Sequence, residues 1–255
     1  MSERSSASGD DENATRFATP VERSREMAGQ DGANRSQTAT FEWRVLLERL
    51  CFLYPPVIGV GAIGVVGELG PGVPGLQEAL FLVASFGYTL LTLGLAVALY
   101  ADIRTQRKGG TWEPNPGVYL ALAVLLAPLA GVVYLSRRHR VHGTPAGWPH
   151  WWLVVAVSLG TTLFGLFAVI IAVVYQLPTL LITAAGLAGA VALGAFPIAL
   201  YQDAAYVTGK GRRWRPNPGI YLGLAFASLF VPVFQPLLAS YYLLERWRTV
   251  GLDLE

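Results

Sequence analysis

Six stretches of this 255-residue chain are apolar over about the thickness of a bilayer, and none carries an ionisable residue in its middle. They run roughly over 50–68, 78–101, 117–136, 151–175, 179–201 and 218–244. A hydrocarbon core about 30 Å thick takes about 20 residues of helix to cross. Backbone groups find no water there, so each run must close its own hydrogen bonds, as a helix does. No series of alternating ten-residue segments suggests a transmembrane barrel. The expected fold class is all-α, a polytopic transmembrane helical bundle of about six spans. Only 14% of residues are charged, against about 25% in a soluble domain.

Two of the runs carry helix breakers. The first holds Pro55, Pro56, Gly59, Gly61, Gly64 and Gly67, which predicts a kink or a dip and return. The last is long and holds Pro232 and Pro236, which predicts tilt or a proline kink. Residues 1–40 are of another kind. They contain seven acids and five arginines in a background of Ser, Thr, Ala, Gly, Asn and Gln. Such a stretch buries too little apolar surface to offset its ordering entropy, so a disordered polar tail is expected. It has no apolar core of a signal peptide.

A phrase occurs twice. WEPNPGVY covers Trp112–Tyr119 and WRPNPGIY covers Trp214–Tyr221, 102 residues on. Its flanks match as well. Tyr100 and Asp102 precede the first copy, and Tyr201 and Asp203 precede the second. Pro128, Tyr134 and Leu135 follow the first; Pro236, Tyr242 and Leu243 follow the second. Basic ends close both, Arg137, Arg138, His139 and Arg140 against Arg246, Trp247 and Arg248. The expected organisation is two three-helix repeats, residues 41–145 and 146–255, behind the tail. Three spans separate the copies, which predicts that the halves are inverted. Basic residues then divide seven and seven between the faces, so the positive-inside rule returns a tie. The signal-less tail favours placing the N-terminus in the cytoplasm of a multi-pass cell-membrane protein.

Each position of the phrase has a structural use. Asn115 and Asn217 suit helix N-caps, and Pro116 and Pro218 suit the first helical position. Trp112 and Trp214 suit the headgroup belt. Asp102 and Asp203 stand at the C-terminal ends of spans, where the helix dipole disfavours an acid. Their matched placement predicts pairing to the following loop, through Arg104 or Arg107 and through Lys210, Arg212 or Arg213. The sharper alternative is a substrate or coupling-ion site at each aspartate. The loop cations Arg104, Arg107, Lys108, Arg212, Arg213 and Arg215 suit anionic lipid headgroups. Gly186, Ala190 and Gly194 form a small-residue stripe for helix packing, within the chain or in a homo-oligomer.

Other chemistry finds no support in the sequence. One cysteine, Cys51, rules out an internal disulfide and a cysteine metal cluster. His139 and His142 have no acid or thiol to complete a metal set. No phosphate loop, zinc-protease motif or nucleophile elbow is present. The basic residues flank apolar spans and do not point to nucleic acid. No cofactor or enzymatic activity is expected. The order Asp, basic loop, W-x-P-N-P, then a span ending in Tyr-Leu and arginines resembles small uncharacterised membrane proteins of haloarchaea, over Asp102–Arg140 and Asp203–Arg248. The arginine-rich composition, 17 Arg to 2 Lys, agrees with that resemblance, which implies no particular activity. The expected function is a non-enzymatic scaffold or regulatory membrane protein. The alternative is a transporter of a small solute or lipid-like substrate, built on the inverted repeat.

Overall fold

The computed structural model describes residues 43–62, 75–109, 112–145, 147–210, 214–231 and 233–252, without the side chains of 178–185, 187, 192 and 193. The expected disordered tail and the end of the first span lie outside the described residues. Those residues are all-helical. α1 spans Trp43–Ala62. α2 spans Leu76–Gly109, α3 Pro116–His142, α4 Trp151–Val174, α5 Pro178–Lys210, α6 Pro218–Ser228 and α7 Phe234–Thr249. By length and composition, α1 to α4 and Ala188–Lys210 of α5 could each cross a membrane. α1 runs as helix through Pro55 and Pro56. The sixth run, 218–244, is divided between α6 and α7.

The paths of these helices correct the expected topology. At Leu126, two residues before Pro128, the backbone of α3 leaves helical geometry, with φ −148° and ψ 71°. Proline supplies no N–H and clashes with the preceding turn, so the break falls where the sequence cannot continue the ladder. The chain then doubles back. Tyr119 on the first arm and Tyr134 on the second have ring centroids 5.1 Å apart, whereas 15 residues of straight helix would separate them by roughly 22 Å. α6 and α7 do the same through the break that follows Ser228, and Tyr221 meets Tyr242 at 5.1 Å. Pro236 falls in the first turn of α7, where proline is tolerated.

Helix directions confirm the reversal. Leu95 meets the second arm of α3 at Gly131, and Asp102 meets it at Arg138. The difference in residue number is constant, so α2 and that arm run parallel. α6 packs on the same arm through Gly219 at Ser136 and Gly223 at Val132. Here the sum is constant, so this pair is antiparallel.

Both copies of the phrase therefore lie at one end of the bundle. Trp112 stacks on Tyr134, with centroids 5.4 Å apart. Two residues along, the Ser136 carbonyl accepts from Asn217 Nδ2 at 2.9 Å. The halves are parallel and not inverted. The two runs taken as single spans, 117–136 and 218–244, each leave and return at this end, which changes the parity of crossings between the copies.

The close approach of α6 to α3 rests on Gly219 and Gly223, a four-residue spacing of glycines. A Cβ at Gly219 would lie 2.6 Å from Ser136 Cα, and one at Gly223 would lie 2.8 Å from Val132 Cγ1. Within the chain the stripe of Gly186, Ala190 and Gly194 does not pack, since a Cβ at Gly186 or Gly194 meets nothing within 4 Å. Gly219→Val is expected to lower stability by about 1–3 kcal/mol through overpacking, read as the unfolding midpoint in detergent. Gly186→Ala should leave that midpoint unchanged. Equal effects from the two would refute the Gly219 seam.

Candidate functional site: two buried Asp–Tyr–Arg clusters

Tyrosine and arginine four residues apart on a helix project from one face. On the second arm of α3 these are Tyr134 and Arg138, and on α7 they are Tyr242 and Arg246. Each pair meets an aspartate on the preceding long helix. Asp102 Oδ2 accepts from Tyr134 Oη at 2.6 Å and from Arg138 Nε at 2.9 Å. Asp203 Oδ2 accepts from Tyr242 Oη at 2.8 Å and from Arg246 Nε at 2.8 Å. The same atoms serve in both clusters. Both aspartates are 0% exposed.

The aspartates pair as expected, but with other partners. Among the described residues, neither meets a cation of the loop that follows it. Arg104, Arg107 and Lys108 are exposed, and Arg212 and Arg213 lie outside the described residues. A loop cation stays in water, whereas Arg138 and Arg246 are carried to the acids by a helix arm already packed there. The sequence signal was present, Tyr and Arg at i and i+4 in both copies.

The phrase holds each hairpin to its cluster. Asn115 Oδ1 accepts from Gly117 N–H at 2.9 Å, and Pro116 opens α3. Asn217 Oδ1 accepts from Gly219 N–H at 3.0 Å and Ile220 N–H at 3.3 Å, and Pro218 opens α6. These caps are as expected. The tryptophans, expected in the headgroup belt, turn onto the clusters. Trp112 stacks on Tyr134 as above, and Trp214 lies 5.3 Å from Tyr242 and 6.1 Å from Tyr221. An aromatic trio thus packs around the tyrosine of each cluster.

A further acid joins at the same end. Glu48 on α1 is 6% exposed, pairs with Arg44 one turn earlier and accepts from Tyr201 Oη at 2.8 Å. Tyr201 stands two residues before Asp203. Sequence reasoning missed this tie of α1 to α5, because nothing local links residues 153 positions apart. His139 Nδ1 lies 2.8 Å from Thr144 Oγ1. No group of metal-ligating side chains occurs among the described residues.

Three membrane hydroxyls close on their own helices, while the buried Thr162 Oγ1 has no partner among the described residues. Thr89 Oγ1 donates to the Ser85 carbonyl, Thr92 to Tyr88 and Ser158 to Val154. Chemically, the clusters are neutral, buried fasteners of hairpins to long helices. The end they occupy carries the exposed cations of the described residues. No family model, curated protein or solved structure matches the chain.

Proposed function

We propose that the protein is a non-enzymatic scaffold or regulatory protein of the cell membrane, built from two parallel copies of one unit, whose single basic face engages anionic lipid headgroups. In this reading α1, α2, α4 and α5 cross the bilayer, and the hairpins α3 and α6–α7 dip in from the basic side. One observation carries it: where the described Lys and Arg residues stand. Arg44 and Arg49 open α1, and Arg104, Arg107 and Lys108 close α2. Arg137, Arg138 and Arg140 close α3, Lys210 closes α5, Arg215 lies in the phrase, and Arg246 and Arg248 close α7. All belong to the end that holds the two phrases. The connections at the other end, 63–75 and 175–177, contain no Lys or Arg. The tie found with six crossings becomes a bias of the described Lys and Arg residues to one side with four, which supports a cytoplasmic basic face.

Exposed cations beside an anionic leaflet contribute about 1 kcal/mol each. Arg104, Arg107, Lys108, Arg137, Arg140, Lys210 and Arg215 are exposed. The transporter alternative loses the support it drew from inversion. It retains the membrane hydroxyls, of which Thr89, Thr92 and Ser158 bond to their own helices while the buried Thr162 hydroxyl meets no partner among the described residues.

The test is lipid selectivity after reconstitution, read by quenching of tryptophan with brominated lipids. Phosphatidylglycerol is expected to outcompete phosphatidylcholine at low salt. The preference should fall as salt rises and shrink in Arg104→Gln/Arg107→Gln/Lys108→Gln. Equal affinity for the two lipids at low salt would sink the headgroup reading. Solute efflux above that of protein-free vesicles would move the assignment to a transporter.

A further inference from the structure

The two clusters share their geometry, but their arginines are differently surrounded. Arg246 is fully engaged. Besides Asp203 it donates through Nη1 to the Gly251 carbonyl and through Nη2 to the Pro149 carbonyl at 3.3 Å, and the Trp152 ring lies 5.5 Å away. One turn beyond Asp203 stands Val207, and one turn beyond Arg246 stands Val250. The second cluster is closed by carbonyls and apolar side chains.

The first cluster is open. Arg138 is 7% exposed, and beyond its Nε bond to Asp102 it donates to no group among the described residues. Where the second cluster has Val207, the first has Gln106, also 7% exposed and without a hydrogen bond among the described residues. Where the second has Val250, the first has His142, within electrostatic reach of Arg138 and Asp102. Trp112 lies against it, with ring centroids 6.5 Å apart. α2 and this arm run parallel with a constant offset, so Gln106 and His142 stand side by side one turn outward from the ion pair.

Although Arg138 and Gln106 are buried as residues, their unpartnered N–H donors are not sealed from solvent, so an anion can approach them from the basic end. A guanidinium fork matches phosphate oxygens two at a time. We infer that Arg138, Gln106 and His142 form a binding site for one phosphate group at the basic end of the first unit. Asp102 is already matched by Arg138, and Glu48, the other carboxylate acting on Arg138, is matched by Arg44. Exposed Arg137 and Arg140 tip the surroundings positive. Two sources offer this chemistry, an anionic lipid headgroup and free phosphate. The inference rests on the proposed reading of the basic face and narrows it to one bound molecule.

Native mass spectrometry of the detergent-purified full chain tests it, with dioleoylphosphatidylglycerol, phosphatidylcholine and inorganic phosphate as probes. One phosphatidylglycerol adduct per chain is expected to survive where phosphatidylcholine is lost. Gln106→Val/His142→Val, which copies the second cluster, should weaken that adduct roughly tenfold, the loss of about one charge-assisted hydrogen bond. Val207→Ala in the second cluster should leave it unchanged. Stabilisation by inorganic phosphate alone, lost in the same double variant, assigns the site to a soluble anion. An adduct equally tight in the double variant, or binding of neither probe, overturns the site. If Arg104→Gln/Arg107→Gln/Lys108→Gln abolishes vesicle selectivity but keeps the single adduct, the site stands apart from the face-wide attraction. If vesicle selectivity is absent even in the unaltered protein while the adduct holds, the wider reading fails and the site does not.

Discussion

Asp203→Ala is expected to lower stability by about 3–5 kcal/mol, the cost of removing one partner of a buried ion pair. Asp203 is fully buried, and one of its oxygens takes both Tyr242 and Arg246. Alanine would strand the guanidinium and the phenol together. The pair itself is worth less than its breakage costs, because both charges were desolvated to form it. Asp203→Leu/Arg246→Met should therefore recover much of the loss. The unfolding midpoint in detergent for the two single variants and the double variant completes the cycle. A loss under about 1 kcal/mol for Asp203→Ala would mean that the cluster does not hold the hairpin. Asp102→Ala should behave likewise, since Tyr134 and Arg138 make the same bonds.

The second large effect is all or none. In a Cys51→Ser background, single cysteines at Glu113 and Arg215 are expected to label from the same side of the membrane with an impermeant thiol reagent. Both positions are exposed, and each lies within a copy of the phrase. A cysteine at Tyr175, 70% exposed at the far end of α4, should label only from the opposite side. Labelling of Glu113 and Arg215 from opposite sides would restore the inverted arrangement and make α3 a true crossing.

What the sequence disclosed, and what it hid, follow from the range of the interactions involved. The caps at Asn115 and Asn217 and the prolines after them act within one helical turn, so they were legible residue by residue. So was the all-helical membrane class, since it depends on the composition of windows of about 20 residues. The path inside such a window is another matter. The run 117–136 reads as one span from composition alone, and only the break at Leu126 and the meeting of Tyr119 with Tyr134 make it a reversal. That one ambiguity, present in both copies, turned parallel halves into inverted ones and split the basic residues into a false tie. The matched aspartates signalled a shared purpose, but their partners stand 36 and 43 residues along the chain. Nearer cations were the natural candidates until the hairpins folded back.

The two hairpins have a geometric consequence for the lipid around them. A plane cut near the basic end meets α1, α2, both arms of α3, α4, α5, α6 and α7. Among the described residues, a plane near the other end meets α1, α2, α4 and α5. Four extra helical sections, each about 10 Å across, add on the order of 300 Å² on one side. In the proposed orientation each copy would displace more lipid from one leaflet than from the other, and many copies in a closed vesicle would accumulate a difference in leaflet area. On the proposed reading of the basic face, the reversals at Leu126 and after Ser228 place their extra helical sections in one leaflet.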